Sequence, residues 1–321
     1  MLSRTADALY WMARNLERSE NNARVLNVQL IHMLEAADRN ILDRDWEEVL
    51  EICASYEDYM TRYSRMERGT MIEYLTTSPI NPNSIEVCMS IARDNAKTTR
   101  DIVPTELWEV LNEFHLDYQD NSDHMDTLSR TKDYLKTITR TSMTAQGVIE
   151  STMSRGIPYT FIKVGKWLER AEKTARILNV ICEKQKREEL QHTADNYYYW
   201  LAALRFLNGY DSFIKEHPPT MDSAYVLDFL IREESFPRSI AYCMKHIEEA
   251  VKELEGGDVR HYSEELFRLL EIIGTEINET SIHEMNMEEL MVFLDHFQKQ
   301  CTALSSVFME TYYLSAPTPV R

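Results

Sequence analysis

Apolar residues recur three and four positions apart along most of the chain, which is the spacing of one face of an α-helix. Only 8 Gly and 9 Pro interrupt the 321 residues, too few for a turn-rich β architecture. The pattern predicts an all-α protein with helices near 3–37, 43–64, 67–76, 84–102, 105–115, 126–154, 158–190, 195–215, 221–232, 238–254, 262–278 and 285–314. Clusters of turn residues predict loops at 77–83, 117–124, 217–221 and 255–258, and a tail from 316.

The chain contains a long internal repeat. Residues 16–28 align with residues 168–180, and nine of the thirteen pairs are identical at an offset of 152. Further pairs extend the register at nearly the same offset: Trp46 with Trp200, Tyr56 with Tyr210, Ser84 with Ser239 and Cys88 with Cys243. A repeat of this length predicts an internally duplicated helical bundle with pseudo-two-fold symmetry. We predict a first repeat over 1–155, a second over 156–315 and a short tail over 316–321.

The first predicted helix carries charged residues among its apolar positions. Its apolar stripe contains Leu9, Met12, Leu16, Ala23 and Leu30. Glu20 and Asn27 fall within this stripe, whereas Glu17 and Arg24 follow one of its edges. Because burying an unpaired carboxylate costs several kcal/mol, Glu20 must be protonated, paired or bound to a ligand. Arg24 lies one helical turn away.

The second repeat reproduces this arrangement with Glu169, Glu172, Arg176 and Asn179. A pseudo-two-fold axis would bring the two charged sets face to face. Two interpretations remain open for such an interior. One is a buried ion-pair network that determines how the halves dock, and the other is a pocket whose carboxylates transfer protons or bind amines while its arginines bind a carboxylate or phosphate.

A second polar helix, near 84–100, carries Arg93, Asn95 and Arg100. The corresponding positions of the second half are Glu248, Ala250 and Glu255. This asymmetry is compatible with a site to which only one half contributes cations, and equally with a solvated helix face.

The charge balance limits the partners that the protein can attract. With 53 acidic and 35 basic side chains, the formal net charge is −18. Such a field repels nucleic acid and anionic lipid, and it favours basic or neutral ligands or a basic patch on another protein. A high negative charge also keeps a protein soluble.

Five cysteines lie among apolar residues without a Cys-x-x-Cys pair, as reduced core thiols do, which indicates a cytoplasmic protein. The first 24 residues are interrupted by charges where a signal peptide would be apolar, and no stretch approaches eighteen apolar residues. We therefore expect neither export by that route nor a membrane span.

Several chemistries lack their residues. A carboxylate-bridged di-iron bundle needs two Glu-x-x-His motifs, and the chain offers one, from Glu189 to His192. His283-Glu284 lacks the following histidine of a zinc protease, and Gly165-Lys166 lacks the remainder of a phosphate-binding loop. No metal or nucleotide site is predicted from these motifs.

Three segments resemble the signatures of the bacterial Alpha-E family. The first is Met1-Leu2-Ser3-Arg4 with Leu9-Tyr10-Trp11-Met12 and Leu16-Glu17-Arg18, the second is Asn81-Pro82-Asn83-Ser84 with Ala92-Arg93, Asn95-Ala96, Arg100 and Glu106-Leu107-Trp108-Glu109, and the third covers 165–176. In the third, Lys166 stands where the family often has arginine, which keeps the charge but loses the bidentate fork.

The resemblance implies an all-helical protein that works beside a circularly permuted ATP-grasp protein and a transglutaminase-like protein. It would then be a partner or auxiliary enzyme of an ATP-dependent system that ligates amino acids or tags peptides. ATP would be bound by the ATP-grasp partner, Mg²⁺ is an ion that the carboxylates could hold, and an amino acid or short peptide is a candidate ligand.

Under this hypothesis the catalytic candidates are Glu17, Glu20, Glu169 and Glu172. The candidates for substrate binding are Arg14, Arg18, Arg24, Arg93, Asn95, Arg100, Lys166, Arg170 and Arg176. The alternative is a non-catalytic helical scaffold in which the same residues form a structural ion-pair network.

Overall fold

The computed structural model describes residues 3–35, 39–121, 127–189, 196–218 and 220–312. Within these ranges the chain forms fourteen α-helices, two short 3₁₀ segments and no strand, which confirms the predicted all-α class. The 3₁₀ segments are His261–Ser263, which directly precedes a longer helix, and Ile282–Glu284, which ends shortly before the next one.

The first seven helices are α1 (Ser3–Glu35), α2 (Arg39–Ile52), α3 (Tyr56–Arg62), α4 (Arg68–Thr76), α5 (Ile85–Thr98), α6 (Thr105–Asn121) and α7 (Leu128–Thr152). The next seven are α8 (Ile157–Glu189), α9 (Asn196–Phe206), α10 (Tyr210–Glu216), α11 (Ser223–Arg232), α12 (Ile240–Glu255), α13 (Glu264–Glu279) and α14 (Met287–Thr311). In both series a helix of 33 residues comes first and one of 25 residues comes last.

The described chain divides into two compact units, one reaching from the N-terminus to Lys166 and the other beginning at Trp167. The division falls inside α8, whereas the predicted boundary between 155 and 156 precedes that helix. The identification of the two units with two repeats stays a prediction. The predicted tail at 316–321 lies outside the described residues.

Two predicted helices, over 43–64 and 195–215, are each broken in two. The breaks separate α2 from α3 and α9 from α10, and each contains a non-glycine residue with a left-handed backbone, Ala54 at φ 53° and Asn208 at φ 52°. A helix cannot continue through this conformation. The apolar spacing does not reveal the breaks, because residues after them, such as Tyr59 and Phe213, are buried again.

Helix ends agree with the predicted loops at 77–83 and 255–258. Ser84 caps α5 by accepting a hydrogen bond from the backbone N–H of Val87, and Ser239 caps α12 in the same way. The predicted loop at 117–124 is wrong for its first part, because α6 continues to Asn121. Its residues 122–124 lie outside the described part of the chain.

In the first unit, α1 packs against α5 and α7, with α2 and α4 at its side. The predicted stripe of Leu9, Leu16 and Leu30 is buried, as predicted, but Tyr10 and Leu26 are buried as well. Hence α1 is not an amphipathic surface helix, and most polar residues of its middle part, from Arg14 to Asn22, lie in the interior.

The second unit has its own core, in which α11 and α13 flank α12 and α14 packs on α13. Fully or almost fully buried side chains come from each of these helices: Leu230, Ile247, Ile273 and Phe297.

Candidate functional site

Glu17 is fully buried on α1 and is held by amide donors. Asn21 donates to one carboxylate oxygen at 3.2 Å, and Gln146 of α7 donates to the other at 3.0 Å. Hydrogen bonds to the charged form compensate part of the cost of removing a carboxylate from water. Glu17 therefore joins α1 to α7.

Glu20 forms an ion pair with Arg24, one of the three states that the sequence left open for this carboxylate. The Glu20 side chain is 1% exposed and that of Arg24 is 12% exposed, so this pair is largely shielded from solvent. Among the described residues, the Arg24 Nε and the Asn27 Oδ1 are buried without a hydrogen-bond partner. Buried polar atoms of this kind are rare in native proteins and call for water, an ion or a ligand.

Arg18, the arginine that follows Glu17, contacts the loop before α5. It donates to the Asn83 side chain at 3.2 Å, and Asn22, one turn further along α1, donates to the Asn83 backbone carbonyl at 2.9 Å. The loop is also held by Asn81, whose side chain donates to the carbonyl of Tyr74 and accepts from the backbone N–H of Asn83.

Arg14 contacts two aromatic residues of its own helix. Its guanidinium donates to the Tyr10 hydroxyl at 3.1 Å and lies 5.6 Å from the Trp11 ring. Arg14 is thereby buried against aromatic rings of α1.

Helix α8 carries a second set within the second unit. Glu172 accepts from Arg176 at 3.0 Å, both side chains are partly buried, and the Asn179 Oδ1 has no partner among the described residues. This is the same order of side chains as Glu20, Arg24 and Asn27 on α1, at an offset of 152. Glu169 is buried, as is Glu17.

Arg170, which follows Glu169, binds the loop before α12. It donates to the Pro237 carbonyl at 3.3 Å and lies over the Trp167 ring at 4.8 Å. One turn further along, the Thr174 hydroxyl donates to the Arg238 carbonyl at 2.8 Å. The arginine of each Glu-Arg pair therefore contacts the loop that leads into a serine-capped helix.

Lys166 pairs with Glu150 of α7 at 3.0 Å, within the first unit. Burial by itself would raise the pKa of Glu150, but the Lys166 charge and hydrogen bonds from Lys166 and Tyr159 outweigh it and hold that pKa below its ordinary value. The described partner of Lys166 is thus a carboxylate of its own chain.

Arg93 and Arg100 both lie against Trp108 of α6, with guanidinium carbons 5.2 and 4.9 Å from its ring centroid. Arg93 also donates twice to the Asn112 side-chain oxygen, at 3.2 and 2.9 Å. Asn95 is half-buried on α5 and its backbone carbonyl accepts from Thr99. Arg93 and Arg100 therefore join α5 and the residues that follow it to α6, whereas the contacts of Asn95 stay next to its own helix.

Three residues that complete these contacts are not among the predicted site residues: Asn83, Gln146 and Glu150. Asn83 belongs to the second family signature and could have been identified from it. No local pattern distinguishes Gln146 or Glu150 from other polar residues of a long helix. Whether the charged sets of α1 and α8 face each other stays a prediction.

Among the described residues, no group of three or more His, Cys, Asp or Glu side chains lies together in a way that could hold a metal ion. The motif from Glu189 to His192 ends outside the described part of the chain. All five cysteines are buried and none forms a disulfide, and burial raises the pKa of the Cys182 thiol to about 12. No helix in the described ranges is long and apolar enough to cross a membrane.

The fold is all-helical within the described residues, and each of its two longest helices carries adjacent Glu and Arg residues of which the glutamate is buried. The chain belongs to the Alpha-E family, described as a predicted alpha-helical domain with a conserved ER motif, which it matches over residues 1–313. This confirms the family resemblance. Glu17-Arg18 and Glu169-Arg170 are Glu-Arg pairs of the kind that the description names.

The relatives are mycobacterial. The chain is 22% identical over 307 residues to uncharacterized proteins of Mycobacterium bovis and Mycobacterium tuberculosis, with 89% of this chain and 33% of each relative covered. The chain thus spans about a third of the length of the curated relatives that it matches. No solved structure matches the chain.

Proposed function

We propose that this Alpha-E domain is a partner or auxiliary enzyme of an ATP-dependent amide ligase and that it binds an amino acid or short peptide at Glu20, Arg24 and Asn27. The observation that carries the ligand site is the pair of buried polar atoms without partners beside a shielded ion pair. The ATP-grasp partner, and a transglutaminase-like protein beside it, rest on the family resemblance alone.

The proposed ligand follows from the groups on α1. Arg24 presents an N–H donor, which suits a carboxylate or a peptide carbonyl, and Asn27 presents an acceptor, which suits an ammonium or amide N–H. Glu20 could hold an amine or remove its proton, provided that the ligand weakens its pair with Arg24. Mg²⁺ would be held here by one or two of these carboxylates together with ligand oxygens, and ATP would be bound by the partner.

We also propose that the two units are copies of one duplicated bundle. Their helices follow the same order of lengths, with 33 residues in α1 and α8, 7 in α3 and α10, and 25 in α7 and α14. Cys88 and Cys243 donate to the carbonyls of Pro82 and Pro237, both at 3.7 Å. Under duplication the set Glu172, Arg176 and Asn179 is a second ligand site.

A non-catalytic scaffold is the second candidate, and specific contacts favour it. Arg18 and Arg170 each use their guanidinium on a loop of their own unit, and Glu17 is bound by two amides. In this case the Glu-Arg pairs only attach the long helices to neighbouring elements, and partner proteins bind elsewhere.

Asn27→Ala separates the two candidates with little risk to folding. The variant removes a carbonyl that has no described partner, so the thermal midpoint should stay unchanged or rise slightly. Binding of amino acids and dipeptides, measured by calorimetry with mixtures of known composition, should be lost. Asn179→Ala tests the second set in the same way.

Glu20→Gln and Arg24→Ala complete the test, with Glu265→Gln and Arg268→Ala as an exposed ion pair for comparison. Loss of ligand binding in folded Glu20→Gln and Asn27→Ala, with the Glu265→Gln control unaffected, supports the site. Unchanged binding of amino acids in both, or no binding by the wild type, rejects it. A purified circularly permuted ATP-grasp protein of the same organism tests the partnership separately, since a scaffold would bind it regardless of Asn27.

A further inference from the structure

A groove of about 250 Å³ runs between α12 and α13 on the second unit. Its floor is apolar, and its rim carries charged and amide side chains. The floor contains Ala241, Met244, Leu270 and Ile277, and the rim contains Glu234, Lys245, Glu248 and Asn278. The groove shares no residue with the Glu20 site or with the set on α8.

Gly274 of α13 gives the groove its depth. A β-carbon at this position would meet no heavy atom within 4 Å, so the missing side chain leaves open space rather than accommodating a neighbour. Glycine inside a helix costs roughly 0.5–1 kcal/mol relative to alanine. Since packing within the unit does not require Gly274, the groove is a feature that the helix maintains at some cost to its own stability.

The two helices that form the groove are strongly acidic. Together α12 and α13 contain nine glutamates against two lysines and one arginine, a net charge of −6. All three cations are already ion-paired within the unit, Lys245 with Glu234, Lys252 with Glu248 and Arg268 with Glu265. The groove therefore combines an apolar floor with a surplus of negative charge around it.

We propose that this groove docks a basic amphipathic helix of a partner protein. A third helix fits the furrow between two packed helices, because side-chain ridges of one helix insert between those of its neighbours. Its apolar residues at helical spacing would cover Met244 and Leu270. Lysines or arginines on its flanks would compete with Lys245 and Lys252 for Glu234 and Glu248, whose existing ion pairs are exposed and therefore weak. Anionic lipid and nucleic acid are disfavoured as occupants by the same charge.

The test uses the full chain and a synthetic 18-residue peptide of leucine and lysine, with leucines at positions i, i+3, i+4 and i+7 of a helix. Binding is followed by fluorescence anisotropy of the labelled peptide. An equivalent peptide with glutamate for lysine tests the charge, and a basic peptide of the same composition with alternating leucines tests the helical pattern.

Gly274→Leu places a side chain in the groove, and its β-carbon meets no heavy atom within 4 Å, so the variant should fold and should melt no lower than the wild type. Its affinity for the basic helical peptide should fall at least about tenfold. Gly147→Leu is the matched control, because Gly147 also lies in a helix with open space around its α-carbon, but on α7 of the other unit. Its affinity should equal that of the wild type.

Saturable binding that is lost in Gly274→Leu and kept in Gly147→Leu supports the proposal. Equal binding by both variants would show that the −18 chain attracts basic peptides without this groove, and it would overturn the proposal. No saturable binding at millimolar peptide, or equal binding of the acidic or alternating peptide, would overturn it as well. None of these outcomes depends on Glu20, so they neither support nor reject the ligand site proposed there.

Discussion

Gly165 of α8 lies against α1 within the first unit. A β-carbon at this position would stand 2.5 Å from the Tyr10 carbonyl oxygen and 3.3 Å from the Ala13 β-carbon. Both obstacles belong to a helix and cannot swing aside as a flexible side chain could. Glycine is therefore required here by close approach and not by backbone conformation.

Gly165→Ala should lower the free energy of unfolding by about 1–3 kcal/mol, because the two helices must separate to admit the methyl group. Urea unfolding measures the change. Gly147→Ala, in an open helical position, should raise stability by roughly 0.5–1 kcal/mol. A gain at both positions would mean that α1 and α8 do not approach as closely as the structure has them.

Glu150 makes the stability of the folded protein depend on pH in the acidic range. Its pKa in the folded state lies below the ordinary 4.5, so its pair with Lys166 contributes above the unfolded pKa and is lost as the pH falls through the folded value. Lys166→Met should therefore lower the thermal midpoint at neutral pH, and its effect should shrink as the pH falls below 4.5 and through the folded-state pKa of Glu150. Lys136→Met removes an exposed lysine 3.9 Å from Asp133 and should change neither midpoint appreciably.

The candidate site is partly visible at the residue scale from sequence alone. Arg24 lies four residues, about one helical turn, after Glu20, and of the three states left open for Glu20 the structure has the paired one. The partner of Glu17 could not be predicted in this way. Gln146 is 129 residues away and resembles other polar residues of α7, so only packing of α7 on α1 identifies it.

Helix attachment follows one scheme in both units at the scale of elements. In each unit a side chain of the long helix donates a hydrogen bond to the backbone carbonyl of the residue before a capping serine. On α1, Asn22 donates to the Asn83 carbonyl, and on α8, Thr174 donates to the Arg238 carbonyl. The serines are Ser84 and Ser239, which cap α5 and α12. Each bond therefore ties a cap of one helix to the flank of another.

Thr174→Val tests this attachment with a side chain of nearly the same shape. The Arg238 carbonyl would lose its buried donor, so the free energy of unfolding should fall by about 1–3 kcal/mol. Thr302→Val is the control, because the Thr302 hydroxyl is exposed and bonds only to the carbonyl of Gln298 in its own helix. Equal effects of the two substitutions would argue against a special role for the loop contact.

Several helix boundaries cannot be predicted from apolar periodicity. The breaks at Ala54 and Asn208 interrupt segments whose apolar spacing continues on both sides, and α6 extends over Asp117 although turn residues are common there. At each break, the left-handed backbone of a single residue ends the helix, and neither alanine nor asparagine is required to adopt that conformation. The caps at Ser84 and Ser239, by contrast, have the side chain that a helix start prefers.

The whole molecule carries a net charge of −18. Mutual repulsion of carboxylates opposes the compact state, and dissolved salt screens it within a Debye length of about 10 Å at 0.1 M. The thermal midpoint should therefore rise between about 0.05 and 0.5 M sodium chloride, as scanning calorimetry would measure. A falling midpoint would mean that ion pairs such as Glu20–Arg24 outweigh the repulsion.

By itself the sequence determined the helical class, the family, the burial of the α1 stripe and the position of Arg24 one helical turn from Glu20. These features depend on residues within a few positions of one another, whose relation the helix geometry alone establishes. Only the tertiary structure decided that Gln146 binds Glu17, that Asn83 accepts from Arg18 and that α12 and α13 leave a groove. Such contacts join segments that are far apart in the chain, and they depend on which helices pack together. That packing is determined by many side chains distributed over the whole unit, so no local sequence pattern predicts it.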